Sequence, residues 1–211
     1  MTRPNRAFSA SCEPGPGVTL PGVSTSQSSF LICPIRPEEY VRLGELTVAA
    51  YHSLPAVMPH QGEYDERLRD VAHRAGTSCV LVAVGPAGEV LGGVTYVSGP
   101  DDPYSEELSE GEAGIRMLAV DPAYQGRGIG RGLTQACLER ARADGRRRLV
   151  LHTGDGMPAA KHLYESLGFE RKPSIDLSPV PGIDLIGYAL DLAGSADEPG
   201  DGPGLVDPQR S

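Results

Sequence analysis

The chain has 211 residues, 39% of them hydrophobic, with 27 glycines, 19 prolines and no tryptophan; without its ends, that suffices for one domain of about 160 residues with a real core. A formal net charge of −9 argues against a nucleic-acid binder, and the apolar runs fall well short of the roughly 18 residues of a membrane span. Cys12, Cys33, Cys79 and Cys137 form no C-x-x-C pair, and the five histidines show no zinc-ligand spacing, so neither a disulfide framework nor a bound metal is expected. The N-terminus lacks the charged-then-apolar order of a signal peptide, which points to a soluble protein in a reducing, cytoplasmic setting.

Residues 1–29 are rich in Ser, Pro and Gly and read as a disordered leader, residues 193–211 as a disordered tail, with one domain between them over residues 30–192. FLICPIRP, from Phe30, is a first strand whose Pro34 assigns it to a sheet edge. Residues 37–53 carry apolar side chains at helical spacing behind Pro37, Glu38 and Glu39, the composition of a first helical turn. A second helix is expected from Tyr64 to Ala75, closed by Gly76. Residues 78–84 and 89–97, around Gly85-Pro86-Ala87-Gly88, form an antiparallel hairpin, and the acidic stretch 98–111 is loop.

The stretch that organises the chain runs from Glu112 to Gly132. Ile115 to Val120 is a short apolar strand, ended by Asp121-Pro122 because proline has no N–H for the ladder. Gln125-Gly126-Arg127-Gly128-Ile129-Gly130 follows, then a helix from about Arg131 to Asp144. Alternating glycines reach backbone conformations closed to other residues and leave successive N–H groups uncovered, which suits an anion at the helix N-terminus. Two familiar anion loops do not fit. A P-loop needs a Gly-Lys pair, which the chain lacks, and a dinucleotide fingerprint needs glycine where Arg131 stands. Taken alone, the loop could also be a tight turn that binds nothing. Further strands are expected at residues 148–153, after Phe169 and at residues 182–190, with a helix over 158–167 closed by Gly168. Strand, helix and strand in the order 112–120, 131–144, 148–153 give a parallel pair with a crossover. The chain is therefore read as a mixed α/β sheet, mostly antiparallel with one central parallel pair, of about seven strands and about four helices. Residues 121–172 hold ten Lys/Arg against six acids, net +4, which leaves −13 elsewhere; a basic half suits a polyanionic cofactor.

The Q-x-x-G-x-G loop between strand and helix, followed by Leu163-Tyr164-Glu165-Ser166-Leu167-Gly168-Phe169, resembles the GNAT superfamily of acyl-CoA-dependent N-acyltransferases, in element order over about residues 31–192. That resemblance implies a GNAT fold and an N-acetyltransferase that passes an acetyl group from acetyl-CoA to a primary amine by direct attack in a ternary complex. A longer acyl-CoA as donor, or a non-catalytic acyl-CoA sensor, are its alternatives. It implies that Gln125, Gly126, Arg127, Gly128, Ile129, Gly130 and Arg131 hold the diphosphate of the cofactor. It further implies that the backbone of Leu118, Ala119 and Val120 pairs with the pantetheine arm, and that Tyr164 protonates the leaving thiolate. Tyr164 could equally be core, since it shares a helix face with Ala160 and Leu167. Met157 stands where many relatives have an asparagine that touches the cofactor arm, and would offer apolar contact instead. Many relatives also carry a strand glutamate where this chain has Gly114, so Glu112 is the candidate general base, on the face of Leu118 and Val120 if no bulge intervenes. Its alternative is a solvated strand-end carboxylate, and Asp176, His52 and Tyr51 are substitutes. Residues 51–63 and 174–186 are expected to select the acceptor, with Asp176 and Asp184 on a cation-friendly lip. The acceptor itself stays open between a small molecule, a protein N-terminus and a lysine. No nucleic acid, membrane or metal is implied, and a homodimer through the last strands is the expected assembly.

Overall fold

A computed structural model describes residues 30–53, 62–180 and 183–192. The expected leader and tail, and most of the loop after the first helix, lie outside the described residues. Strands β1 (Leu31–Pro34), β2 (Cys79–Val84), β3 (Val90–Val97), β4 (Glu112–Val120), β5 (Arg148–Gly154), β6 (Glu170–Arg171), β7 (Leu177–Val180) and β8 (Ile183–Asp191) form one sheet. Its order is β1-β2-β3-β4-β5-β8-β6, with β7 also on β8. Among the described residues only β4 and β5 pair in parallel. The mixed sheet with one central parallel pair is thus as expected, with eight strands and five α-helices among the described residues. The additional strand is β7, in the proline-bearing segment expected to form a lip. Pro34 does end an edge strand, paired only with β2.

Helices α1 (Tyr40–His52), α2 (Glu63–Arg69) and α3 (Val71–Thr77) cover one face, through Leu43, Leu46 and Val71 against Val80 and Val82. The expected single second helix is two, because Asp70 leaves helical geometry (φ −76, ψ 64) and its carboxylate accepts from His73 N at 3.1 Å, capping a new start. On the other face α4 (Ile129–Ala143) and α5 (Pro158–Ser166) bury Leu133, Cys137, Ala141 and Tyr164 against Ile115, Leu149 and Leu151. Beyond the reach of α1, residues 98–111 close the first face with Tyr104 and Leu108 over Val97 and Val150.

One irregularity in β4 decides which of its side chains share a face. Gly93 pairs with Ala119 but Thr95 pairs with Arg116, so β4 holds one residue more than β3 opposite it. Met117 takes that turn at φ 50, a strained conformation for a non-glycine residue. Because side chains alternate along a strand, the extra residue reverses every face after it. Ala113 and Ile115 pack with Leu118 and Val120, whereas Met117 lies with Val97 and Val150. Glu112 therefore does not share a face with Leu118 and Val120.

Candidate active site

The parallel pair parts beyond Ile115. Residues 112–115 of β4 pair with 148–151 of β5, while β5 stays bonded to β8 as far as Gly154. Among the described residues, the peptide groups of residues 116–120 have no strand partner on the β5 side. A cavity of about 1360 Å³ opens there, lined by residues 115–120 and 151–154. That exceeds the roughly 300–1000 Å³ of ordinary ligand pockets.

The glycine turn forms one end. Asp121 stops β4 by accepting from Ala123 N at 2.9 Å and is held by Arg42 at 2.5 Å. Gly126 (φ 75) and Gly128 (φ 81) then take left-handed conformations with open space where a Cβ would stand, so their glycine is needed for conformation rather than packing. Helix α4 begins at Ile129, two residues before the expected Arg131, with Gly128 as a cap that offers no side chain. Its first N–H groups have no intrahelical acceptor and its dipole is positive there, a ready anion site.

Leu118, Ala119, Val120, Gln125, Gly126, Gly128, Ile129, Gly130, Arg131 and Met157 all line the cavity. Arg127 does not; its guanidinium lies 4.8 Å above the Tyr124 ring and bonds Ala123 O. Arg131 reaches Ser166 Oγ on α5 at 2.6 Å. Met157 caps α5, with Thr153 Oγ1 3.5 Å from its sulfur.

Tyr164 also lines the cavity while only 5% exposed, its ring edge-on to Phe169 at 5.9 Å. It is core and cavity wall at once, and burial holds its phenol protonated far above the usual tyrosine range. Glu112 sits at the opposite end of β4. Its carboxylate accepts from Ser109 N at 3.0 Å and pairs with Arg148 at 3.3 Å, and it does not line the cavity. Among the substitutes only Tyr51 lines it. His52 pairs with Asp65 at 3.0 Å, Asp176 is taken by Arg171 (2.6 Å) and Gly187 N (2.9 Å), and Asp184 accepts from Ser178 Oγ at 2.7 Å. Asp176 and Asp184 themselves do not line the cavity, although Leu177, Ser178 and Leu185 of the same segment do.

Residues the sequence did not single out occupy the far end: Tyr64, Tyr104, Glu106, Arg116 and His152. A signal existed for two of them. Arg116 and His152 interrupt otherwise apolar strands, and a charged or polar side chain inside a sheet requires a partner. Arg116 finds it in Glu106 at 2.9 Å, although its Nε–H does not point along the contact, and burial holds its guanidinium below the ordinary arginine range. Burial raises the Tyr51 and Tyr64 phenols, which stand beside each other with ring centroids 6.2 Å apart.

A mixed sheet that opens between its two parallel strands above a glycine turn is the fold of the N-acetyltransferases. An N-acetyltransferase of Staphylococcus aureus Mu50 superposes with TM-score 0.61 at 21% identity, over 78% of this chain and 99% of that one. The yncA protein of Salmonella typhimurium, solved with its cofactor acetyl-CoA, gives 0.60 at 23% identity, over 81% and 98%. The model of the Acetyltransferase (GNAT) family matches residues 45–169, more than half of the chain, and the chain belongs to that family. Curated relatives include a mycothiol acetyltransferase of Streptosporangium roseum, 46% identical over 57 residues, which are 27% of this chain and 17% of that protein. An N-acetylaspartate synthetase of Danio rerio is 35% identical over 106 residues, half of this chain and 34% of that protein. The chain thus matches only about a third or less of the length of these relatives.

Proposed function

We propose that the domain over residues 30–192 transfers an acetyl group from acetyl-CoA to a primary amine by direct attack in a ternary complex. The observation that carries this reading is the continuity of one cavity from the bare helix start at Gly128 to the unpaired peptides of β4. A diphosphate would sit on the N–H groups of the glycine turn, with Arg131 beside it. The amide-bearing arm of the cofactor would then satisfy the peptide groups of Leu118, Ala119 and Val120 as a strand would, and Met157 would add apolar contact. Its thioester would lie toward Tyr164, whose protonated phenol suits a donor to the leaving thiolate. Glu112 receives no role, since it lies outside the cavity. Met117 and Met157 on the wall favour a second reading, a longer acyl chain on the donor.

The test is amine-dependent release of free thiol from acetyl-CoA, repeated with longer acyl-CoA donors. Release that requires an amine and is fastest with acetyl-CoA is the expected result. Tight donor binding without release by any amine would reduce the protein to a binding module.

A further inference from the structure

Two hydrogen-bond acceptors face each other at the end of the cavity away from the glycine turn. His152 Nε2 lies 2.7 Å from the carbonyl oxygen of Ile175, which can only accept, so Nε2 carries the hydrogen and the neutral ring keeps its lone pair on Nδ1. That Nδ1 is buried and has no donor among the described residues, on a side chain only 7% exposed, and Glu106 Oε2 stands 3.9 Å from it. A proton placed between the two would satisfy both.

Glu106 is the exposed member of this group, at 40%, and the structure holds it in place at some cost. Its backbone is left-handed at φ 51, a strained state that needs support from its surroundings. Arg116 supplies that support: Nε pairs with the carboxylate, Nη2 donates to Ser105 O and Nη1 to Ile115 O, both at 3.0 Å. Gly114 leaves space for this clamp, since a Cβ there would stand 3.0 Å from Arg116 Nη1 and 3.2 Å from Leu108 Cδ1. Tyr51, Tyr64 and Tyr104 line the same end of the cavity, with the Arg67 guanidinium already 5.5 Å over the Tyr104 ring.

We infer that Glu106 takes up the acceptor as an ammonium ion and draws a proton from it, and that His152 Nδ1, behind Glu106, receives that proton. The inference rests on the amine-transfer reading above. The ammonium N–H bond breaks and the proton passes by way of Glu106 Oε2 to Nδ1. The freed lone pair then forms a C–N bond with the thioester carbonyl carbon, and the C–S bond breaks. Sulfur takes the Tyr164 proton, and the phenolate recovers one from the nitrogen of the new amide, so one proton per turnover leaves through His152. Charged groups facing the ring are Arg116 from β4, Glu106 from the 98–111 loop and Asp176 from the turn before β7. Burial and Arg116 hold the imidazolium below the usual histidine range, so the ring is neutral near pH 7 and releases its proton again. The substrate class is thereby narrowed to amines that are cationic at neutral pH, alkylamines rather than arylamines. Glu106 is the catalytic group here; His152 and Arg116 act through it.

The experiment measures kcat/KM against pH with tyramine, putrescine and lysine methyl ester, and with aniline as the neutral comparison, in the parent, Glu106→Gln and His152→Gln. Glutamine at position 152 keeps a donor for Ile175 O but cannot titrate. Expected are a loss of roughly 100-fold in Glu106→Gln with the alkylamines and about 10-fold in His152→Gln, both with unchanged acetyl-CoA affinity. The parent profile should be flat from an acid limb below about pH 6.5 up to the pKa of the amine, and His152→Gln should displace that limb. A parent that turns over while Glu106→Gln stays within about twofold, or whose rate climbs about tenfold per pH unit up to the amine's own pKa, overturns this inference alone. A parent that acetylates aniline as well as the alkylamines overturns it too. A parent that releases no thiol with any of these amines overturns the transfer reading and this inference with it. Should Glu106→Gln lose acetyl-CoA binding, the pH profile of His152→Gln decides.

Discussion

The two ends of the cavity are built by different means. At the glycine turn the polar groups are mostly backbone: the first N–H groups of α4, two left-handed glycines and the peptides of β4 that face away from β3, with the side chains of Gln125 and Arg131 beside them. At the far end they are side chains that converge from α1, α2, the 98–111 loop, β4 and β5. A site made of backbone is fixed by local conformation and tolerates change in the residues around it. A site made of side chains depends on each partner, and on the bulge at Met117 that turns Arg116 and Met117 toward one face. Donor recognition should thus survive changes at the far end, and acceptor recognition should not.

Substitutions can break that division. The largest effect after loss of the glycine turn is expected for Tyr164→Phe. It removes the phenolic proton but keeps the ring against Phe169, so kcat should fall about 100-fold while the acetyl-CoA Kd moves less than about twofold. Single-turnover rates beside calorimetric binding would show it, and an unchanged kcat would remove Tyr164 from the chemistry. Arg116→Gln comes next. It leaves Ser105 O and Ile115 O short of their donors and frees Glu106, at a cost of about 2 kcal/mol in a urea melt. Acceptor KM should rise with the donor Kd unchanged; a weakened donor Kd would mean that the two ends are not separable. The smallest effect is expected for Glu112→Gln, whose kcat/KM should stay within about twofold of the parent because the carboxylate serves Ser109 N and Arg148 and does not line the cavity. A large loss there would return the base to the strand.

The same division explains which features were legible in the sequence. Asp121-Pro122, Gly126 and Gly128 announce a strand stop and a helix start because each acts through its own φ and ψ, and sequence reports local conformation directly. Gly145 and Gly168, which close the helices ahead of β5 and β6, are left-handed for the same reason. Glu106 lies in a segment with no periodicity, and its meaning comes from Arg116, ten residues on, and from His152 on another strand. Nothing local marks such a triad. Glu112 shares a face with Leu118 and Val120 only in a strand without a bulge, and the one inserted residue leaves no glycine to betray it: Met117 bears the positive φ itself. The break at Asp70 was hidden by an unbroken helical pattern from Tyr64 to Ala75. A carboxylate that can cap was the only sign.

The central claim is that the bare helix start at Gly128 holds the anionic end of acetyl-CoA. Calorimetric titration of acetyl-CoA into the parent and into Gly128→Asp tests it most directly. The substitution strains a position at φ 81 and sets a negative charge where the diphosphate would lie. The account predicts micromolar-range binding by the parent and a loss of about 100-fold or more in the variant, with the fold retained by circular dichroism. Equal binding by the two proteins, or none by the parent, would contradict it.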